Sequence, residues 1–181
     1  PPPPPPPGFS SRRRHSRCGW LSRGLGDVYK RQGFGCNNNG GDLIFPNVDG
    51  ITATLRIGLD DARLNPGDVD FISAHATATK MGDVIESQAI RKVFGEQTPM
   101  VSGLKSYMGH TMGSCGVIET ILSLYMMAEG FVAPTLNLDA VDPRCAMLRH
   151  TPGLTDYPLK VIGVQNFAFG GVNTCLLIRK I

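Results

Sequence analysis

No apolar run in the 181-residue chain is long enough to cross a bilayer, and no secretory h-region stands near its start. Neither a membrane span nor a secretory signal is expected. The five cysteines (Cys18, Cys36, Cys115, Cys145 and Cys175) include no C-x-x-C pair, and their number is odd. Buried reduced thiols in a cytoplasmic protein are the simplest account, and ligand spacing for a zinc site with His75 or His110 is missing. Internal repeats are absent too. Positive charge is scarce beyond position 32. Arg12, Arg13, Arg14, Arg17, Arg23, Lys30 and Arg31 face only Asp27 in that first segment, so the remainder is net acidic although the formal total is +3. A basic nucleic-acid face is therefore excluded for the bulk of the chain.

Residues 1–32 open with seven Pro and continue as Arg/Ser/Gly-rich sequence without apolar periodicity, so no packed element is expected there. Ser10 to Gln32 resembles translated sequencing-adapter read-through, and such a segment is expected to contribute nothing to the fold. A basic arm for nucleic acid would depend wholly on it.

From residue 33 onward, strand-like and helix-like patterns alternate. Gly33–Cys36 reads as the end of a strand, and the Asn/Gly-rich stretch 37–46 as a loop. Gly50–Ala62 and Gly82–Phe94 carry apolar residues at helical spacing, with Asp83 and Glu86 in the first turn of the second, where they suit the helix dipole. Val69–Ala74 and Met100–Ser102 read as strands, and Asn65-Pro66-Gly67-Asp68 as a turn. Gly113–Glu129 is apolar on most sides, which predicts a central buried helix. Pro134–Leu138 is expected to be extended. Val161–Val164 and Cys175–Ile178 are expected to form a hairpin at the sheet edge. The pattern predicts an α/β fold.

Two stretches carry chemistry. Val101-Ser102-Gly103-Leu104-Lys105-Ser106-Tyr107-Met108-Gly109-His110 sets a Lys and a His five positions apart in a Gly-bearing loop before the apolar helix. Such a loop can aim a cation and an imidazole into one pocket, or it can be a turn with a surface Lys and a hydrogen-bonded core His. Upstream, Val69–Ala74 runs into His75-Ala76-Thr77-Ala78-Thr79. Groups at the C-terminal end of a strand sit where α/β proteins hold ligands. The interval between the two His leaves room for one helix and one strand, so adjacent strands could bring both rings into one cleft.

These stretches resemble the motifs N-A-H-G-T-S-T and T-K-S-x-x-G-H-x-x-G-A-A-G of β-ketoacyl-[acyl carrier protein] synthases. Gln165-Asn166-Phe167-Ala168-Phe169-Gly170-Gly171-Val172-Asn173 resembles a third family motif, N-S-F-G-F-G-G-T-N, and Pro134-Thr135-Leu136-Asn137-Leu138 a fourth, P-P-T-x-N. The resemblance covers residues 33–181. It implies the C-terminal half of a thiolase-like α/β fold, with a mixed sheet packed by helices. The implied reaction is decarboxylative Claisen condensation of a malonyl thioester with an acyl-enzyme, in fatty acid or polyketide synthesis.

By that resemblance His75 and His110 would aim two N–H groups at the enolate oxygen, where stabilising developing charge is commonly the largest catalytic contribution. Lys105 would orient His110, and Glu119 would partner this network. Thr77 and Thr79 would contact the pantetheine arm, although strand-end capping serves Thr equally well. Phe167 and Phe169 would close over the acyl chain, Phe169 as the gate. No cofactor and no metal are implied. The implied partners are an acyl carrier protein and a second ketosynthase-like subunit, in a homodimer or a heterodimer, with no nucleic acid and no membrane.

The sequence departs from the family pattern in several places. Ser73 stands for Asn, Ala76 for Gly, Ala78 for Ser, Leu104 for Thr, Ser114-Cys115 for Ala-Ala, and Ala168 for Gly. Ala at a Gly position is expected only where φ is negative. The nucleophilic Cys belongs to the family's N-terminal half, and none of the five Cys replaces it: Cys115 stands at an Ala position and Cys175 lies mid-strand. The chain is therefore expected to lack condensing activity by itself. A non-catalytic subunit resembling a chain-length factor is the alternative, and retention of His75, Lys105 and His110 together argues against it. A thiolase would carry a second Cys in a C-x-G motif, a context that Cys175 lacks.

Overall fold

The computed structural model describes residues 29–41, 46–151 and 153–181. The expected disorder of the first segment lies almost wholly outside the described residues. Strand β1 (Tyr29–Asn38) begins inside that segment, so the boundary expected at residue 33 falls within a strand. Helix α1 (Val48–Ala62) follows, its first N–H groups capped by the Asn47 side chain, which accepts from Asp49 N at 2.7 Å and Gly50 N at 3.2 Å. Next come β2 (Phe71–Ser73), α2 (Gly82–Phe94), β3 (Met100–Ser102) and the one-turn α3 (Lys105–Met108). Helix α4 (Cys115–Glu129) is entered through a 3-10 turn at Met112–Ser114. Short strands β4 (Phe131–Val132), β5 (Arg149–His150) and β6 (Thr155–Asp156) precede the hairpin β7 (Val161–Ala168) and β8 (Val172–Lys180).

Among the described residues six strands form one mixed sheet in the order β1-β8-β7-β2-β3-β5, while β4 and β6 pair separately. β2 pairs in parallel with β3 and β7, β3 in parallel with β5, and β8 antiparallel with both β7 and β1. The hairpin therefore does not lie at the edge. Tyr29–Asn38 adds a further strand outside β8, which the short Gly33–Cys36 signal could not reveal. Glycine lets α1 settle on that strand: a Cβ on Gly35 would overlap the Thr54 carbonyl, and one on Gly33 would come within 2.6 Å of the Gly58 carbonyl oxygen.

Each sheet face has its own core. Ile51, Leu55, Ile72, Ala89, Ile90, Val101 and Leu177 fill the side covered by α1 and α2. Phe71, Met100, Leu104, Met126, Met127, Ile162 and Ile178 fill the α4 side. α4 departs from the helix expected to be buried all round. It buries Cys115, Glu119, Ser123, Met126 and Met127, but Val117, Ile121 and Tyr125 stay more than half exposed because the sheet covers only one side. Pro134–Leu138, expected to be extended, contains a turn with Asn137 at φ 58°. Among the described residues no helix is long and apolar enough to cross a membrane.

Candidate active site

The site is assembled at one end of three neighbouring strands. β2, β3 and β7 run parallel, so their C-terminal ends meet at the same sheet edge. His75 lies just past β2, Lys105 and His110 just past β3, and Asn166 and Phe167 at the end of β7. The His75 and His110 rings are 5.6 Å apart, edge to face, as expected of two adjacent strands. The Phe167 ring lies 5.3 Å from that of His75.

Beneath the rings runs a chain of polar contacts. Lys105 Nζ donates to Glu119 Oε1 at 2.6 Å, with Lys105 6% and Glu119 0% exposed. Asn166 Nδ2 donates to the other carboxylate oxygen, Oε2, at 2.9 Å, and Asn166 Oδ1 lies 3.4 Å from His75 Nδ1. A buried carboxylate needs such partners. Burial, with the Lys105 charge as the next cause, lowers the His75 pKa to about 3, so its ring is neutral near pH 7. His110 is exposed, and its Nδ1 accepts the Met112 backbone N–H at 3.0 Å. The Cys115 thiol lies 3.3 Å from the same nitrogen.

The loop carrying His75 is held from below by α2. Glu86 Oε1 accepts the His75 N–H at 2.8 Å and Oε2 the Ala76 N–H at 2.9 Å. Burial pushes the Glu86 pKa up to about 7, the two N–H groups opposing that rise. Asp83 is raised by burial as well, with the backbone N–H groups of Ala78, Thr79 and Thr77 opposing. Held in this way, Ala76 and Ala78 adopt φ 35° and φ 59°. The expectation of a negative φ at Ala76 fails: the bidentate carboxylate holds the loop in a conformation costly for a residue with a Cβ. Ala168 is not among the residues of positive φ and fits its position.

Of the residues expected at the site, the structure brings together His75, His110, Lys105, Glu119 and Phe167. Thr77 and Thr79 bond to each other at 3.2 Å, and the Thr79 hydroxyl also accepts the Gly82 N–H at 3.2 Å, a local cap on α2. Phe169 sits on the β7–β8 turn, 75% exposed. Glu86 and Asn166 were missed as site residues. The first-turn position of Glu86 suits the helix dipole, but Glu86 also shares a helix face with Ile90 and Val93, and a carboxylate on an apolar stripe is the signal that marks it. Asn166 stands in the sequence only as one member of the motif spanning residues 165–173. Cys175 is buried, which drives its thiol pKa up to about 12, so it offers no thiolate. No cluster of three metal-binding side chains occurs among the described residues.

The family described as "Beta-ketoacyl synthase, C-terminal domain" matches residues 30–139. The 3-oxoacyl-[acyl-carrier-protein] synthase 1 of Escherichia coli is 34% identical over 161 residues, covering 89% of this chain and 39% of that protein. A β-ketoacyl synthase from Burkholderia phymatum superposes with a TM-score of 0.84 at 39% identity, over 90% of this chain and 40% of its own. The ishigamide ketosynthase/chain length factor superposes with a TM-score of 0.83 at 33% identity, again over 90% of this chain and 40% of its own. The chain thus spans about two-fifths of the length of the curated relatives it matches.

Proposed function

The chain belongs to the β-ketoacyl synthase family, of which it matches the C-terminal domain, and on that premise we propose that it supplies the imidazole half of a decarboxylative condensing site. The observation that carries the proposal is the pairing of His75 and His110 at 5.6 Å, at the ends of adjacent parallel strands and above a buried Lys105–Glu119 pair. In the reaction a malonyl thioester breaks its bond to the terminal carboxyl carbon. Carbon dioxide leaves, and the bonding pair remains as an enolate with charge on the thioester oxygen. The enolate carbon then attacks an acyl thioester on a Cys and expels the thiolate.

His110 is suited to hold the enolate oxygen. Its Nδ1 is taken up by the Met112 N–H, so a neutral ring carries its proton on Nε2, free to donate. Phe167 packs against His75, its ring 5.3 Å from the imidazole, and gives the cleft one apolar flank. Phe169, exposed on the β7–β8 turn, is proposed to close over an acyl chain, and Thr77 and Thr79, whose hydroxyls lie 3.2 Å apart, to contact a pantetheine arm. The acyl and malonyl groups are proposed to arrive on an acyl carrier protein, in the cytoplasm, at a dimer with a like or related subunit.

Among the described cysteines, Cys115, Cys145 and Cys175 are buried and Cys36 alone is exposed, on β1. A nucleophile is therefore proposed to come from a segment outside these 181 residues, and the chain alone to lack condensing activity. A non-catalytic chain-length-factor-like subunit is the second reading, since one similar structure is described as a ketosynthase together with a chain length factor.

The test is to join the chain to the coding sequence found upstream in its source DNA and to measure carbon dioxide release from malonyl-carrier protein. Release that needs His110, together with an acyl-Cys seen by mass spectrometry only in the extended protein, supports the first reading. An upstream segment without a nucleophilic Cys establishes the second. An acyl-enzyme on the 181-residue chain itself would refute the division of labour.

A further inference from the structure

The Asn166 amide sits between a carboxylate and an imidazole. Glu119, held by the Lys105 ammonium at Oε1, presents Oε2 as an acceptor only, so the amide nitrogen must face it, as it does at 2.9 Å. The amide oxygen is thereby turned the other way, to 3.4 Å from His75 Nδ1. An amide oxygen cannot donate. The contact is a hydrogen bond only if His75 Nδ1 carries the proton, and a neutral ring with Nδ1–H has a bare lone pair on Nε2. His75 Nε2 has no hydrogen-bond partner among the described residues.

The second ring is set the opposite way. Met112 N–H can only donate, and it donates to His110 Nδ1 at 3.0 Å. The Cys115 sulfur, which accepts from Thr111 Oγ1 at 3.3 Å, lies 3.3 Å from the same nitrogen. The Met112 N–H occupies the Nδ1 lone pair, so a neutral His110 ring carries its proton on Nε2.

We infer that Asn166, oriented by Glu119, is a positioning residue that fixes His75 as the Nδ1–H tautomer, so that the pair presents one acceptor and one donor in place of two donors. The low pKa of His75, caused chiefly by burial, agrees with a ring that stays neutral with its Nε2 lone pair available. Within the condensing role proposed above, on which this assignment of tasks rests, His110 alone holds the oxyanion. His75 Nε2 takes a hydrogen bond from a donor in the cleft: a water, a hydroxyl or the entering thiol. A side chain too short to bridge Glu119 and His75 would leave the His75 tautomer unfixed.

The test is the ring-nitrogen NMR spectrum of the full chain labelled with 15N-histidine, near pH 7.5, assigned through His75→Gln and His110→Gln. The expected pattern is a protonated Nδ1 and bare Nε2 for His75, and the reverse for His110. Asn166→Ala should shift His75 to a mixture of tautomers and leave His110 as it was. Protonated Nε2 on wild-type His75 overturns the inference, as does an Asn166→Ala spectrum identical to wild type. If Asn166→Ala does not fold, the wild-type spectrum decides alone. The spectrum is independent of activity, so a failed carbon dioxide assay on the extended protein would count against the condensing role and not against the tautomers.

Discussion

Lys105 Nζ and Glu119 Oε1 meet at 2.6 Å with both side chains buried. Each charge is tolerable there only because of the other. Removing one partner leaves an uncompensated buried charge, which costs about 3–5 kcal/mol, whereas replacing both with well-packed apolar residues is often neutral or stabilising. Lys105→Met alone should therefore lower the urea-unfolding free energy by that amount. Lys105→Met with Glu119→Leu should recover most of it while leaving Asn166 without its carboxylate. A double variant as unstable as the single one would show that the pair is more than charge compensation.

Glu86 and His75 set opposing pH dependences. Glu86 has a folded pKa of about 7 against an ordinary value of 4.5, so folding takes up a proton between those limits and stability falls as pH rises through that window. His75 has a folded pKa of about 3 against 6.5, so unfolding takes up a proton and stability falls as pH drops from 6.5 toward 3. Between pH 4.5 and 6.5 the two slopes oppose, and the wild-type stability curve should be nearly flat. Glu86→Gln removes one slope. Its unfolding free energy, followed by denaturant titration across that window, should rise with pH. A Glu86→Gln curve parallel to wild type would reject the burial of this carboxylate.

Backbone strain at the His75 loop is separable from packing. Ala76 lies at φ 35°, where an L-residue with a Cβ costs about 1–2 kcal/mol. Ala76→Gly removes that cost but adds about 0.4–1 kcal/mol of unfolded-chain entropy. Net stabilisation of about 0.5–1 kcal/mol is the expected outcome. Ala168→Gly, in β7 without a positive φ, should instead destabilise by about the same amount. Opposite signs in paired thermal melts check the assignment; equal signs would refute it.

Much of this architecture is legible in the residues, and the rest is not for physical reasons. Gly82–Phe94 and Met100–Ser102 are bounded as the sequence predicts, because apolar spacing in the helix and full burial in the strand agree with the residues there. The meeting of His75 with His110 follows from two parallel strands ending together. The hairpin was misplaced because strand order depends on pairing across the sheet, and the run that pairs with β8 begins at Tyr29, inside sequence that carries no apolar alternation. The inward role of Glu86 is hidden in the sequence because first-turn charge has a ready local explanation in the helix dipole. Only the positions of the His75 and Ala76 N–H groups show that it turns inward. The role inferred for Asn166 depends on which way an amide faces, and that is fixed by Glu119, 47 positions away.

The outward face of α4 gives the last prediction. Val117, Ile121 and Tyr125 recur every fourth residue and expose 64%, 59% and 58% of their surface, and Met112 just before the helix exposes 74%. Residues four apart lie along one side of a helix, so these side chains form a continuous apolar strip. Patches of that kind on a soluble chain drive association. The 181-residue chain should therefore self-associate at micromolar concentration, as measured by sedimentation velocity. Ile121→Lys places a charge in the middle of the strip without touching the inward residues Glu119 and Ser123, so it should reduce association while leaving the fold intact by circular dichroism. If the extended protein covers this face with its additional segment, it should show no such association, and Ile121→Lys should now destabilise it. The same substitution thus improves one form and harms the other. An extended protein indifferent to the added charge would mean that the strip faces solvent in both.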